Sequence, residues 1–317
     1  RIGYDANRQS GFFSSVSPHL GKILMTSPIV FSPAKINLFL AVTARRSDGF
    51  HNLISLVAPV GFGDELQFVL NAEGEIILEC DNHDLPSDER NLVIRAIKLF
   101  QEETGHRDGW KVRLNKKIPV GGGLGGGSSN AAKTLLALNQ MHGYPLPEKH
   151  LMRLAAEIGS DCILFLREGP SVIRGRGELT EPVQDVAASR LCGRKVVLFW
   201  PPFSISTAWA YSYFDHCGGM CSSASDADDK LCDWLEGNQP LEDLVENDFE
   251  AALKRKFPTF QALLGDLRDV FDVRCSVSGS GSACFAFPPD DSIIRDLERT
   301  VRLAWGPEAG FESTELL

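Results

Sequence analysis

No apolar run in the 317-residue chain approaches the roughly 20 residues that a membrane-spanning helix needs. Val196–Trp200 is short, is ended by Pro201 and Pro202, and reads as a buried strand. Positive charge is also in deficit: 32 Lys and Arg face 42 Asp and Glu, a net charge of -10, with a pI near 5.2. Bulk nucleic-acid binding, which needs clustered basic residues against phosphate, is thereby disfavoured. The eight cysteines form no C-x-x-C pair and no zinc-type spacing with His, and Cys217 and Cys221 stand as a lone C-x3-C. They read as thiols of a reducing compartment, cytoplasmic in a bacterium or, as the alternative, the plastid stroma. Arg1–Gly21 has neither a helical period nor the apolar centre of a secretory signal. Residues 1–27 are expected to be a tail outside the fold, an upstream or appended segment ahead of Met25, with a transit-peptide fragment as the alternative.

Hydrophobic residues make up 43% and charged residues 23%, a globular composition. The length suffices for two domains with a sizeable core. Ile29–Val42, Leu53–Val60, Leu66–Leu70 and Glu75–Cys80 read as strands separated by turn residues. Asn91–Thr104 carries apolar residues at helical spacing and is closed by Gly105; Trp110–Leu114 returns to strand. Helices are expected over Ala131–Met141, Glu148–Ile158, Phe249–Leu267 and Ile293–Leu303, with an acidic helical region before the third. Lys195–Trp200, Cys275–Val277 and Cys284–Phe287 read as strands. Strands and helices alternate without a strict βαβ repeat, so the fold class is α+β. A composition break near Pro182–Gly193 divides an expected domain 28–185 from a domain 186–317.

Six of the seven residues from Gly121 to Gly127 are glycine. Glycine costs conformational entropy, so such a run is placed where backbone amides must approach a ligand. The run leads into Ser128-Ser129-Asn130, good N-cap residues, and then a helix; orphan amides and the helix dipole make that junction an anion site. Basic residues Lys111, Arg113, Lys116 and Lys117 precede it. No Lys follows the glycines, so the P-loop pattern fails. The dinucleotide pattern fails too, because the run lies past residue 120 rather than in a first βαβ unit, which disfavours an NAD-dependent oxidoreductase.

Pro119–Ser129 resembles the P-x-x-x-G-L-[GS]-S-S phosphate loop of the GHMP kinases. Two further landmarks of that superfamily are matched in order, an N-terminal strand motif by Pro33–Leu38 and a C-terminal glycine loop by Ser278–Cys284. Ser32–Leu40, Arg46–His51 and Gly159–Ile163 are similar to the branch that phosphorylates a cytidine diphosphate-linked methylerythritol. Two positions depart from that branch: Phe50 stands where Tyr is usual, and Cys162-Ile163 stand where Val-Pro is usual. The first keeps an aromatic face, whereas the second reshapes the turn after Asp161.

The resemblance implies an α+β, two-domain GHMP kinase fold, with an N-terminal domain like ribosomal protein S5 domain 2 and a C-terminal ferredoxin-like α/β sandwich. It implies ATP and Mg2+ as cofactors, with the metal ligands unassigned and Ser129 one possibility. The reaction would be phosphorylation of the substrate's 2-hydroxyl by a monomer or weak homodimer, without nucleic acid or membrane. Asp161 would be the general base, with Lys35 beside it; from residue type alone Asp161 is equally a turn residue. Lys35 inside an apolar strand needs a partner, and Asn37, two residues on, shares its face. The carried-over nucleotide contacts are Asn91, Lys116, Pro119, Val120, Gly121, Gly122, Gly123, Leu124, Gly125, Gly126, Gly127, Ser128 and Ser129. For the substrate they are Asn37, Phe50, His51, Gly279, Ser280 and Gly281, with Tyr211 either a stacking residue or a core aromatic. Homoserine or mevalonate kinases would share the glycine loops but lack Asp48-Gly-Phe-His51, and a silent sugar- or nucleotide-binding regulator would not need both Lys35 and Asp161.

Overall fold

The computed structural model describes residues 27–217 and 221–317. Its elements run β1 (Val30–Arg45), β2 (His51–Asn71), β3 (Ile76–Cys80), α1 (Leu92–Thr104), β4 (Gly109–Asn115), α2 (Gly126–Met141) and α3 (Glu148–Ile158). A 3-10 turn (Ser160–Phe165), β5 (Ser171–Gly175), β6 (Leu179–Pro182), α4 (Asp185–Ala188), β7 (Lys195–Trp200), α5 (Thr207–His216), α6 (Ala224–Glu236) and α7 (Leu241–Leu244) follow. The chain ends with β8 (Glu246–Asn247), α8 (Phe249–Lys256), α9 (Pro258–Phe271), β9 (Arg274–Val277), β10 (Cys284–Phe287), a 3-10 turn, α10 (Ile294–Trp305) and β11 (Gly310–Glu315). No helix among the described residues is long and apolar enough to cross a membrane.

One sheet has the order β3-β4-β2-β1-β8, and β5 and β6 extend it from β2; the second has the order β11-β7-β10-β9. The long β2 serves two partners along one edge, β5 through Leu53–Val57 and β4 through Glu65–Asn71. Sequence reading splits this strand between Val60 and Leu66. The structure runs straight through, because Gly63 serves close approach rather than a turn: a Cβ there would lie 2.4 Å from the Ser32 carbonyl. Register irregularities on β1 fall between Pro33 and Lys35 and again between Asn37 and Phe39. Bulges re-aim side chains, and here two of them bracket Lys35 and Asn37, the polar pair within the apolar middle of the strand.

Helix α1 begins and ends where the sequence places it. Asn91 is its N-cap, accepting from the Val93 amide, and Gly105 closes it in the left-handed conformation at φ 78°. The expected helix Phe249–Leu267 is instead two helices. Pro258 opens α9, and Phe257 before it takes φ -123° and ψ 87°, the extended bias a following proline imposes. Sequence reading also missed the short β5, β6, β8 and β11. Ser27, counted with the tail, belongs to the fold, its amide donating to the Phe68 carbonyl; the rest of the tail lies outside the described residues.

Helices α1, α2 and α3 cover one face of the first sheet through a core that includes Phe68, Phe100 and Leu135. A second core joins Ile36 and Leu38 of β1 to Val196 and Leu198 of β7, Phe285 of β10 and Trp234 of α6. The two sheets therefore share buried surface, and β8, from the expected second domain, pairs with β1 of the first.

Phe285→Ala should cost about 3–5 kcal/mol, since the ring is fully buried between the sheets. Urea denaturation followed by tryptophan fluorescence and by circular dichroism should give one coincident transition, shifted to lower urea. Two separated transitions would show that the sheets fold independently.

Candidate active site

The glycine run, the second glycine loop and the start of α5 enclose a cavity of about 900 Å³. Carbonyls of the glycine run are tied down along its length. Gly121 accepts from the Ile205 amide (3.4 Å), Gly122 from Ala283 (2.9 Å) and Leu124 from Lys35 (3.0 Å). Gly123 accepts from the Ser278 hydroxyl (3.2 Å) and the Lys35 ammonium (2.8 Å). Among the described residues, the amides of Gly121 to Gly125 donate to no protein group. The loop is thus fixed by its acceptors, and its donors stay free. Helix α2 follows with Gly125 as an N-cap at φ 72° that offers no side chain to the first-turn amides. Free amides at an uncapped helix start are what an anion needs.

Ser128-Ser129-Asn130 are not caps, because α2 starts at Gly126 and places them in its first turn. Ser128 lines the cavity together with Pro119, Val120 and Gly121–Gly127. Ser129 does not: it is fully buried, its hydroxyl accepting from Ser32 at 2.8 Å, which removes it as a metal ligand. Asn130 donates to Ser32 at 2.9 Å and to Asp64 at 2.9 Å.

Asp64 is the buried centre beneath the loop, at 0% exposure. One carboxylate oxygen accepts the amides of Lys117 and Ile118, at 2.8 and 2.9 Å. The other accepts from Asn130 and is ion-paired with Lys116. Lys116, expected near the nucleotide, therefore spends its charge on Asp64, although it also borders the cavity. Asn91 borders the cavity as well while capping α1, its amide donating to the Pro86 carbonyl at 2.9 Å.

Packed against the loop itself, Lys35, 6% exposed, donates to Asn37 Oδ1 at 2.6 Å and to the Gly123 carbonyl at 2.8 Å. Asn37 in turn donates to Ser55 at 2.9 Å. Burial pushes the Lys35 ammonium below its ordinary pKa, and the carboxylate of Asp161 pulls it back up. Asp161 forms no direct ion pair with Lys35, so the expected adjacency is electrostatic rather than a contact. The aspartate is carried on the 3-10 turn after α3, where Cys162 and Ile163 are buried against α2 and α3. Burial pushes the Cys162 thiol up to about 11, and Asp161 beside it lines the cavity.

The second glycine loop closes on the same lysine. A Cβ on Gly279 would sit 3.3 Å from both Lys35 Nζ and Asn37 Oδ1. Asn247 holds this loop by donating to the Val277 and Gly279 carbonyls, both at 2.8 Å, and Ser280 bonds Thr207 of α5 at 3.0 Å. Gly279 and Ser280 line the cavity, whereas Gly281 packs behind it on Leu253 and Val277.

At the far end His51 is buried and bonds Asp215 through Nε2 at 2.8 Å. Tyr211 stacks on the imidazole, 5.0 Å between centroids, and meets Phe249 edge-on at 4.7 Å. The Tyr211 phenol is pushed up to about 12, first by burial and second by Asp161. It is both a packed aromatic and part of the cavity wall. Phe50 points elsewhere, 56% exposed at the rim with the Arg176 guanidinium 5.0 Å from its ring centroid. Asp64, Asp215, Arg176 and Asn247 escape sequence reading, and Ser278 is read only as part of the second glycine loop. A Gly-Asp-Glu after a strand, or an Asp near a helix end, looks like solvated surface until distant partners arrive.

Free backbone amides at a helix start, with a buried Lys bonded to the same loop and an Asp lining the same cavity, are the apparatus of a phosphoryl-transfer enzyme, and residues 91–169 match the GHMP kinases N terminal domain. The fold and site are therefore those of a GHMP kinase. The chain is 35% identical over 293 residues to a 4-diphosphocytidyl-2-C-methyl-D-erythritol kinase of Methylacidiphilum infernorum, covering 90% of this chain and 96% of that one. It is 40% identical over 264 residues to the enzyme of that name from Chlorobium luteolum, covering 82% and 88%. A crystal structure of 4-(cytidine 5'-diphospho)-2C-methyl-D-erythritol kinase matches with a TM-score of 0.71 at 31% identity, over 92% of this chain and 99% of that one. The chain belongs to the 4-diphosphocytidyl-2-C-methyl-D-erythritol kinase family.

Gly123→Ala should weaken ATP binding by roughly tenfold or more, about 1.4 kcal/mol. A Cβ there, at φ 79°, would lie 2.3 Å from the Ser278 carbonyl and push the two glycine loops apart. Calorimetric titration checks this, and unchanged affinity would mean that the loop is not the phosphate cradle. Asp64→Ala should destabilise the protein by about 3–5 kcal/mol, because it strands a buried ammonium and two amides. A loss under 1 kcal/mol in urea melts would count against Asp64 as the loop's anchor.

Proposed function

We propose that this chain transfers the γ-phosphoryl group of ATP to the 2-hydroxyl of 4-diphosphocytidyl-2-C-methyl-D-erythritol. The observation that carries the reading is that Lys35 and Asp161 line the same cavity as the glycine run and the uncapped start of α2, with the Lys35 ammonium bonded to the loop itself. Family membership supports the substrate, and homoserine or mevalonate becomes the lesser reading.

The loop amides and the first turn of α2 cradle the triphosphate, whose negative charge offsets the orphan donors. Mg2+ keeps several waters and binds mainly through phosphate oxygens, so it needs few protein donors. The Ser128 hydroxyl on the cavity wall would hold it from the protein side, and the ion supplies charge neutralisation when bound. Asp161 accepts the proton of the attacking hydroxyl. Lys35 has two of its three N–H groups engaged by Asn37 and Gly123; the third remains for the forming alkoxide or the transferring phosphoryl.

The cytidine end is assigned to the pocket of His51 and Tyr211. Asp215 fixes the imidazole and leaves its Nδ1 edge for a base, while the Tyr211 ring offers a stacking surface. Phe50 and Arg176 close the rim. All eight cysteines are unpaired, consistent with a reducing compartment such as the bacterial cytoplasm or the plastid stroma.

The test is ADP release from ATP and Mg2+ with the cytidyl substrate beside mevalonate, homoserine and galactose. Turnover should be confined to the cytidyl compound, and Asp161→Ala should lower kcat by about 10²–10⁴ with the fold intact. Turnover of another alcohol instead would keep the kinase and discard the substrate. A fully active Asp161→Ala would discard the base.

A further inference from the structure

At the opposite end of α2 the structure brings together three side chains that the kinase reaction does not use. His106 and Asp108 lie on the loop between α1 and β4, and His142 is the C-cap of α2. One donor atom from each lies within 4.8 Å of the others, the only such trio of His, Cys, Asp or Glu found among the described residues. All three are half-buried. We propose that His106, Asp108 and His142 form a divalent transition-metal site, of the class that takes Zn2+, which staples the α1–β4 loop to the end of α2.

The donor chemistry selects the ion class. Two imidazoles and one carboxylate suit Zn2+ and its neighbours, whereas Mg2+ and Ca2+ prefer sites made of oxygen alone. Three protein ligands leave a fourth tetrahedral position for water, and Asp108 is exposed enough to admit it.

The backbone that carries the three donors is set in advance. The His142 amide donates to the Leu138 carbonyl at 3.0 Å, so helix geometry sets its backbone. Its ring is packed by Phe100 at 5.5 Å and Trp110 at 6.0 Å, and lies 4.0 Å from the His106 ring. On the loop, Gln101 donates to the Asp108 carbonyl at 2.7 Å, and Arg107 donates to the Gln101 carbonyl at 3.1 Å. His142 Nε2 and Asp108 Oδ2 stand 3.7 Å apart, longer than a hydrogen bond and close to the separation of two ligands on one ion. The two imidazoles stack with 28° between their planes, so binding would require one ring, that of His106 on the loop, to swing out of the stack and turn its lone pair toward the ion.

The role is structural. By helix rise the site is about 24 Å along α2 from the glycine run, and none of its ligands lines the catalytic cavity. Bound metal would rigidify the helix that presents its N-terminus to phosphate, and would stabilise the folded chain by mass action.

The experiment uses the full chain stripped with a chelator, then given Zn2+ or Co2+ alone. One equivalent of Zn2+ should raise Tm by several degrees, and Co2+ should show intense d–d bands without a thiolate charge-transfer band. The near-isosteric Asp108→Asn, which should fold normally, should weaken Zn2+ binding at least about tenfold, the lower end of what even outer metal partners contribute. His106→Ala with His142→Ala should abolish the response while ADP formation with Mg2+ is retained. A response that survives in the double variant, a thiolate band from the cysteines, or no binding at all would overturn the site.

Discussion

The buried ammonium of Lys35 is the group around which the rest of the catalytic half is arranged. An ammonium in an apolar strand is costly unless its donors are met, and Asn37 and the Gly123 carbonyl meet two of them. That requirement explains the bulges that bracket Lys35 and Asn37 on β1. It also explains why both glycine loops must be glycine where they converge. A side chain on Gly123 would strike the Ser278 carbonyl, one on Gly125 would meet the Phe165 ring and Lys35, and one on Gly279 would crowd the Gly123 carbonyl, Asn37 and Lys35. Position and chemistry are therefore set together: the bond that satisfies the lysine also holds the phosphate loop.

A second buried charge does the same work one layer below. Asp64 collects the Lys116 ammonium, the Asn130 amide and two consecutive backbone amides, and so fixes both the approach to the loop and the first turn of α2. Ser32 and Ser129 fill the space between. The loop is thus held from above by Ser278 and Ala283 and from below by Asp64, while its own donors stay unclaimed. Preorganised donors that need no rearrangement when charge develops are the most effective form of electrostatic catalysis.

Much of this was legible from the amino-acid order. The glycine run, the lysine and asparagine in an apolar strand, and the Asn91 to Gly105 bounds of α1 each carry a local physical signal. Asp64 and Asp215 do not, because their meaning lies in partners between 52 and 164 residues away, such as Lys116 and His51. Ser129 misled for the opposite reason. Its residue type suits a cap or a metal, but a helix that begins three residues earlier turns it inward. The break at Pro258 was readable from proline chemistry and passed over; the two-residue β8 had no pattern to read.

The most direct test of this account is the titration of the Lys35 ammonium, followed by NMR of ε-labelled lysine in the wild type and in Asp161→Asn. The account predicts a pKa below the ordinary lysine value of about 10.4, because burial dominates, and a further fall in the variant, because the carboxylate that favours the charged form is gone. A Lys35 that titrates at or above the ordinary value, or one indifferent to Asp161→Asn, would contradict it.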